Sequence, residues 1–414
     1  MQPFSSRKRT NDRPGQGFDL PLLVTIIALV IFGLVMLFSA SWDFSLIVNK
    51  SATYTFTHQL MWLGIGLAAA AFLAFFDYHQ LRKYIVPGMV VIIVLLIVVL
   101  FPNEIRLGAK RALFEGSVQP SEFAKLVSII YLAVWLYSKR DMLHDIQLGL
   151  IPLGVILGVV GGLIYQQPDL SAAVTVMLLG GLLFFLSGGD LKQIGVLLLI
   201  AVAAAWLVVQ ISPTGHERVN SFLAGIKDPT QASYHVRRSF EAIVNGGWFG
   251  VGIGKSISKL TGLPFPPTDS IFAVIAEELG MAGSIALVGL YAMFVWRGMV
   301  IARRAPDMLG TILASGLVIW IGMEALINMS VMVGLLPFAG NALPFISSGG
   351  SNLIASLAAV GILMNISRQH GESIPEEEER RSFSAVSDLR GGDGRRGLSR
   401  TRRSQRARSQ SPGR

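Results

Sequence analysis

Cysteine is absent from the 414 residues, which excludes disulfide staples and thiol chemistry and leaves the redox compartment unreadable. Charge is scarce too: 15% of residues are charged against 52% hydrophobic, and mean hydropathy is +0.56. A soluble domain of this length needs more charge on its surface. The formal net charge of +9 does not mark a nucleic-acid surface, because twelve arginines lie between Arg368 and Arg414 and the remainder is close to balanced. No secretory leader is expected, since the first apolar run, Leu20 to Ala40, is too long and further runs follow.

What the chain has in abundance is long apolar runs. A helix needs roughly 20 such residues to cross about 30 Å of hydrocarbon. Runs that qualify fall near 19–40, 58–76, 84–101, 121–137, 148–166, 170–188, 192–211, 272–296, 308–333 and 350–367. The expected fold is therefore an all-α polytopic membrane protein of about ten transmembrane helices, with a long external loop, 212–271, between helices 7 and 8. Lys and Arg decide the orientation. Arg7, Lys8, Arg9, Arg13, Arg82, Lys83, Lys139, Arg140, Lys192, Arg297, Arg303 and Arg304 all fall on one side. The opposite short loops hold Lys50, Arg106, Lys110 and Arg111. Both termini are expected in the cytoplasm.

Three regions follow: a cytoplasmic tail (1–18), the membrane domain (19–368) and a basic cytoplasmic tail (369–414) without apolar periodicity, expected to be disordered. The long loop holds an amphipathic stretch, SYHVRRSFEAIV, and a glycine-rich turn, GGWFGVGIG, so an ordered subdomain is expected there. Small-residue stretches such as GIGLAAAAF and GVILGVVGG should let helices approach closely.

Ionisable groups in a membrane span usually face a cavity or a partner. Glu122 and Lys125, three apart in QPSEFAKL, share a helix face and can pair. Asp169 in QQPDL fits a helix cap. Glu324 and Asn328, four apart, share a face and should hydrogen-bond another helix. GNALPFISSGGSN, Gly340 to Asn352, is non-helical in character yet lies between spans, where such backbone survives only beside protein or water.

PPTDSIFAVIAEELG, Pro266 to Gly280, puts three acids at the head of an apolar helix. On one continuous helix Asp269, Ala273, Ala276 and Gly280 form a stripe, with Glu277 and Glu278 turned away and roughly 12 Å further along. A glycosidase-like carboxylate pair from this helix alone is disfavoured. A straight helix from Asp269 to Trp296 would run about 42 Å, which places Asp269 at or beyond the outer interface. Two roles stay open for it, helix cap (with Thr268 as rival) and catalyst.

PTDSIFAVIAEELG, together with QPSEFAKL, QPDL and LPFISSGGS in this order between the expected spans, resembles the SEDS (FtsW/RodA-like) family. The likeness covers about residues 15–368, and GIGKSISKLTGLP looks more like the FtsW, or division, branch than the elongation branch. The resemblance implies a ten-helix peptidoglycan glycosyltransferase that polymerises lipid II on the outer face of the cytoplasmic membrane. It also implies work with a class B penicillin-binding protein and other division proteins. The family's essential aspartate falls on Asp269, either as general base or holding a divalent cation (Mg or Mn) against pyrophosphate. Arg111, Lys125 and Arg218, read as surface cations at the outer ends of elements, are the expected phosphate contacts, with Glu122 neutralising Lys125 and Thr268 beside the aspartate. The chain departs from the common pattern at Pro267, Ser270, Lys110, Ala112, Ser171, Arg238 and Ser348, which bears on secondary substrate contacts. Two rival readings are a lipid II flippase and an elongation-type polymerase. Transport needs polar lining through both leaflets, whereas the ionisable groups here gather toward one end.

Overall fold

The computed structural model describes residues 17–101 and 118–369. Arg111, the Gly108–Ala112 motif, the N-terminal basic cluster and the tail beyond Gln369 lie outside the described residues. Each expected apolar run becomes a helix: α1 (Leu20–Asn49), α2 (Tyr54–Phe75), α3 (Leu81–Val98), α4 (Pro120–Ser138), α5 (Ile151–Tyr165), α6 (Leu170–Leu186) and α7 (Leu191–Ile211). After the long connection come α10 (Ile271–Arg303), α11 (Met308–Met332) and α12 (Gly350–Arg368). Among the described residues eight helices are long and apolar enough to cross a membrane, and Leu170–Leu186 and Leu191–Ala203 are shorter apolar helices. The protein is an all-α polytopic membrane protein.

Boundaries follow local chemistry. Asp19 caps α1 by accepting from Leu22 N, and Asp307 caps α11 by accepting from Gly310 N. α4 starts on Pro120 at its first position, where a missing N–H costs nothing. α1 runs nine residues beyond the expected end at Ala40, to Asn49, because Phe44 to Val48 continue its apolar pattern.

The centre of the bundle is α11 and α12, with α4 beside them. Trp320, Leu317, Ile321, Ala355, Ala359 and Leu363 are all at or below 1% exposure. α2 packs along α12, and α11 is flanked by α10, α4 and α6. The GIGLAAAAF stretch is part of this contact, with Gly66 facing Leu357. Of the glycines in GVILGVVGG, Gly161 faces Met177, while Gly154, Gly158 and Gly162 face open space; Leu157 of the stretch lies against Gly180 of α6.

The long connection contains α8 (Pro213–Lys227) and α9 (Tyr234–Gly246), then turns to residue 270. The amphipathic stretch is α9, with Val236, Ser239 and Ala242 buried on one face.

The straight helix from Asp269 is not formed. α10 begins at Ile271 and breaks at Gly280, whose φ of 69° and ψ of −165° are non-helical. The loop after α9 takes over the hydrogen bonds the break frees. Met281 N donates to Gly247 O at 2.9 Å and Ala282 N to Trp248 O at 3.1 Å; Val251 N and Gly252 N donate to the carbonyls of Glu277 and Glu278 at 3.0 Å. Only glycine fits, since a Cβ at position 280 would lie 2.4 Å from Gly250 N. The break removes the single-helix stripe, and Asp269 sits in the turn that precedes α10.

Candidate active site

Asp269 is half-buried in the turn between Leu263 and α10. The capping position of α10 is Ser270, without a side-chain cap bond, so neither Asp269 nor Thr268 is the cap. Thr268 donates its hydroxyl back to Phe265 O at 3.3 Å. Phe265 carries a left-handed φ of 48°; such strain in a non-glycine residue costs about 1–3 kcal/mol and persists only where the surroundings impose it.

The surroundings are α11 and the segment that follows it. The Asn328 amide nitrogen donates to Asp269 O at 2.9 Å and to Asn341 O at 2.6 Å. Ser347 Oγ donates to Thr268 O at 2.7 Å, and Ser348 N donates to Pro267 O at 2.7 Å. The Pro267–Asp269 backbone is thus stapled at three consecutive carbonyls. The carboxylate itself lies against Gly340, where a Cβ would come within 2.9 Å of Asp269 Oδ2. The non-helical stretch begins earlier than the motif, at Val333, and ends sooner, since Gly350–Asn352 already form the first turn of α12. Its Phe345 is also left-handed, at φ 69°.

Asn328 therefore bonds two irregular segments rather than another helix, because residue 269 is not helical. Glu324, one turn earlier, does reach other helices. It accepts from Lys125 Nζ on α4 and from Asn352 on α12 at 3.3 Å. Lys125 also pairs with Glu122 at 2.8 Å, and Asn352 donates to Glu122 at 2.8 Å. Lys125 is consequently no surface cation: its side chain is 4% exposed and its ammonium is shared by two carboxylates. A lone buried ammonium would be costly, and the second acid, 199 residues away, compensates that cost.

Asp169 caps α6 by accepting from Ala172 N at 3.2 Å, and it also accepts from Gln119 Nε2 at 2.9 Å. Gln119 N in turn donates to Ser351 Oγ at 2.8 Å. The starts of α4, α6 and α12 are thereby tied together next to the Glu122–Lys125–Glu324 group.

Arg218, half-buried on α8, lies 5.7 Å over the Phe338 ring. His235 of α9 stacks on Phe338 at 4.1 Å and on Phe265 at 6.2 Å. Arg218 thus joins an aromatic column that ends four residues before Asp269. Burial, helped by the Arg218 charge, pushes His235 below its ordinary value. The sequence offered no signal for His235 beyond the amphipathic pattern of α9.

The two glutamates of the opening motif are structural. Glu277 accepts from Ser256 Oγ, Ile257 N and Ser258 N. Glu278 accepts from Ser39 Oγ at 2.6 Å and from Lys259 Nζ at 3.2 Å. Both are buried, and neither is paired with Asp269. Among the described residues no three or more His, Asp or Glu are grouped to hold a metal ion. A hard divalent cation takes oxygen ligands, and the carboxylate this turn offers is that of Asp269.

Comparison with known proteins agrees with this architecture. Residues 20–372 match the FtsW/RodA/SpoVE family, described as cell cycle proteins. The chain is 36% identical over 354 residues to the probable peptidoglycan glycosyltransferase FtsW of Trichlorobacter lovleyi, covering 84% of this chain and 93% of that protein. It is 35% identical to the stage V sporulation protein E of Bacillus subtilis, covering 84% of this chain and 97% of that one. The crystal structure of the Thermus thermophilus rod shape determining protein RodA superposes with a TM-score of 0.64 at 27% identity, over 86% of this chain and 98% of that one. A chain from a peptidoglycan synthase complex, described for its coordination of polymerization and crosslinking, superposes at 0.70 with 27% identity, over 86% of this chain and 99% of that chain. The chain belongs to the FtsW/RodA/SpoVE family of cell cycle proteins.

Proposed function

We propose that this protein is a peptidoglycan glycosyltransferase of the FtsW type that polymerises lipid II into glycan strands for septal wall synthesis, with Asp269 as its catalytic carboxylate. The observation that carries the reading is the stapling of the Pro267–Asp269 turn. Three successive carbonyls are held by Asn328, Ser347 and Ser348, so a single half-buried acid is fixed at the head of a broken helix. Fixing one acid this firmly suits a group that must meet a substrate atom in one geometry.

In the reaction the 4-hydroxyl of one GlcNAc attacks the anomeric carbon of the MurNAc at the growing end. The bond to undecaprenyl pyrophosphate breaks, and the α-linked donor becomes a β-linked product. Asp269 takes the hydroxyl proton, a contribution of about 10²–10⁴-fold. A divalent cation held by Asp269 would instead supply Lewis-acid stabilisation of the departing pyrophosphate. Arg218, with its planar guanidinium, suits the leaving phosphates, and Arg111 keeps that assignment from its place in the sequence. Lys125 could reach a phosphate only by giving up a carboxylate, so its part is to neutralise Glu122 and Glu324.

The Lys and Arg distribution favours cytoplasmic termini and a site facing outward. The synthase-complex neighbour, described for polymerization and crosslinking, supports a crosslinking partner, which we propose is a class B penicillin-binding protein, alongside other division proteins. The test is lipid II polymerisation by the purified full chain in detergent, with and without its cognate penicillin-binding protein. Polymer is expected from the wild type, and polymer made without a bilayer cannot be transport. An Asp269→Asn protein that elongates glycan at the wild-type rate would remove the catalytic assignment.

A further inference from the structure

α10 changes surroundings at its break. From Ile271 to Glu278 every side chain is buried, while Met281, Ile285, Val288 and Trp296 beyond it are exposed. In a membrane protein that exposed apolar face meets lipid. From Met281 the helix runs about 24 Å to Arg297, which pairs with Asp19 at the cap of α1, and about 33 Å to Arg303, lengths that bracket the roughly 30 Å of hydrocarbon. Its far end carries Arg303 and Arg304. Gly280 to Ala282 therefore lie at one boundary of the bilayer.

Hydrogen bonds fix the depth of the neighbouring loop to that boundary. Gly247 O and Trp248 O accept from Met281 N and Ala282 N, the first lipid-facing turn, while Val251 N and Gly252 N hold the last carbonyls before the break. The same loop is anchored again further on, through Ser256 and Lys259 to the buried Glu277 and Glu278. Its tip is nonetheless bare. Trp248 is 72% exposed and Phe249 86%, with Ile253, Ile257 and Leu260 each more than half exposed beside them.

We infer that the Trp248–Phe249 tip is a membrane-interface anchor, its rings inserted at the boundary between lipid headgroups and acyl chains. Indole at this level meets apolar chains with its body and water or headgroups with its N–H, which is why tryptophan collects there. The exposed Lys255 next to it extends its ammonium to lipid phosphate. The occupant is lipid rather than a protein because the backbone bonds to Met281 and Ala282 set the tip at the depth of the first lipid-facing turn. The anchor holds the loop that splices α10, so the membrane surface becomes one support of the Gly280 break. This inference is independent of any role for Asp269.

The absence of cysteine makes the test direct. Phe249→Cys and, separately, Ile253→Cys introduce a sole thiol for a nitroxide label into the full-length chain, reconstituted in phospholipid nanodiscs without any partner. Lys227→Cys, at the exposed end of α8, serves as the reference. Power saturation is read with oxygen, which concentrates in acyl chains, and with a water-soluble nickel chelate. At the 5–10 Å depth of interfacial insertion, nickel accessibility at both tip positions should be roughly tenfold below that at Lys227, with oxygen accessibility higher. Nickel accessibility equal to the reference overturns the proposal. So does protection that arises only when a single-span protein partner is added, which would make the tip a protein contact. If one labelled variant fails to fold, the other decides alone.

Discussion

Asn328 holds Asp269 through its main-chain carbonyl. The amide donates 2.9 Å to Asp269 O and 2.6 Å to Asn341 O, and the side chain is fully buried. Asn328→Leu fills similar volume but strands two carbonyls, each costing about 1–3 kcal/mol. A lower melting temperature in detergent is expected, together with reduced polymerisation. If the loss of activity comes from a displaced Asp269, the turnover number should fall more than the Michaelis constant rises. Unchanged turnover in folded Asn328→Leu would separate the staple from catalysis.

The Glu122–Lys125–Glu324 group predicts an asymmetry between its members. Lys125→Met leaves two buried carboxylates facing each other with no cation, and breaking a buried pair in this way costs about 3–5 kcal/mol. Adding Glu324→Gln removes one of those charges, so the double variant should unfold at a higher temperature than Lys125→Met alone. A double variant less stable than the single one would show that the charges are not the issue.

The ten helices were legible because each is a long apolar run, and hydropathy needs no knowledge of neighbours. The Glu122–Lys125 pair was legible for the same reason: it is local, three residues apart on one helix. Its third member was not. Glu324 comes from another helix, and nothing in a single sequence says which of α11's polar residues meets α4. The break at Gly280 was hidden differently. A lone glycine inside an apolar pattern is tolerated in helices, and the backbone that replaces the lost bonds lies about thirty residues earlier, in the glycine-rich turn of the long loop, whose contact with α10 no local pattern shows. Asp269 is legible at a helix head, but its staples come from Asn328 on α11, 59 residues later, and from Ser347 in the segment after it, 79 residues from Thr268.

Gly280 itself yields a contrast within one helix. Gly280→Ala places a Cβ 2.4 Å from Gly250 N in a backbone region that only glycine occupies freely, at a cost of about 1–3 kcal/mol before the clash. Gly289→Ala, nine residues on, meets nothing within 4 Å and should gain up to about 1 kcal/mol of helix propensity. Thermal unfolding of the two variants should therefore move in opposite directions. A Gly280→Ala protein as stable as the wild type would mean that α10 can run straight and that the splice is dispensable.

His235 gives the stability a pH dependence whose sign is fixed. Burial between Phe338 and Phe265, then the Arg218 charge, hold its pKa below the ordinary 6.5. The unfolded chain therefore binds the proton more readily than the folded one. The stability contributed is fully present above pH 6.5 and is lost as the pH falls from there through the lower, folded value. His235→Phe, which keeps a stacking ring and cannot be protonated, should flatten the decline in melting temperature below pH 6.5 while leaving the value at pH 8 little changed. An identical decline in both proteins would assign the acid sensitivity to the carboxylates instead.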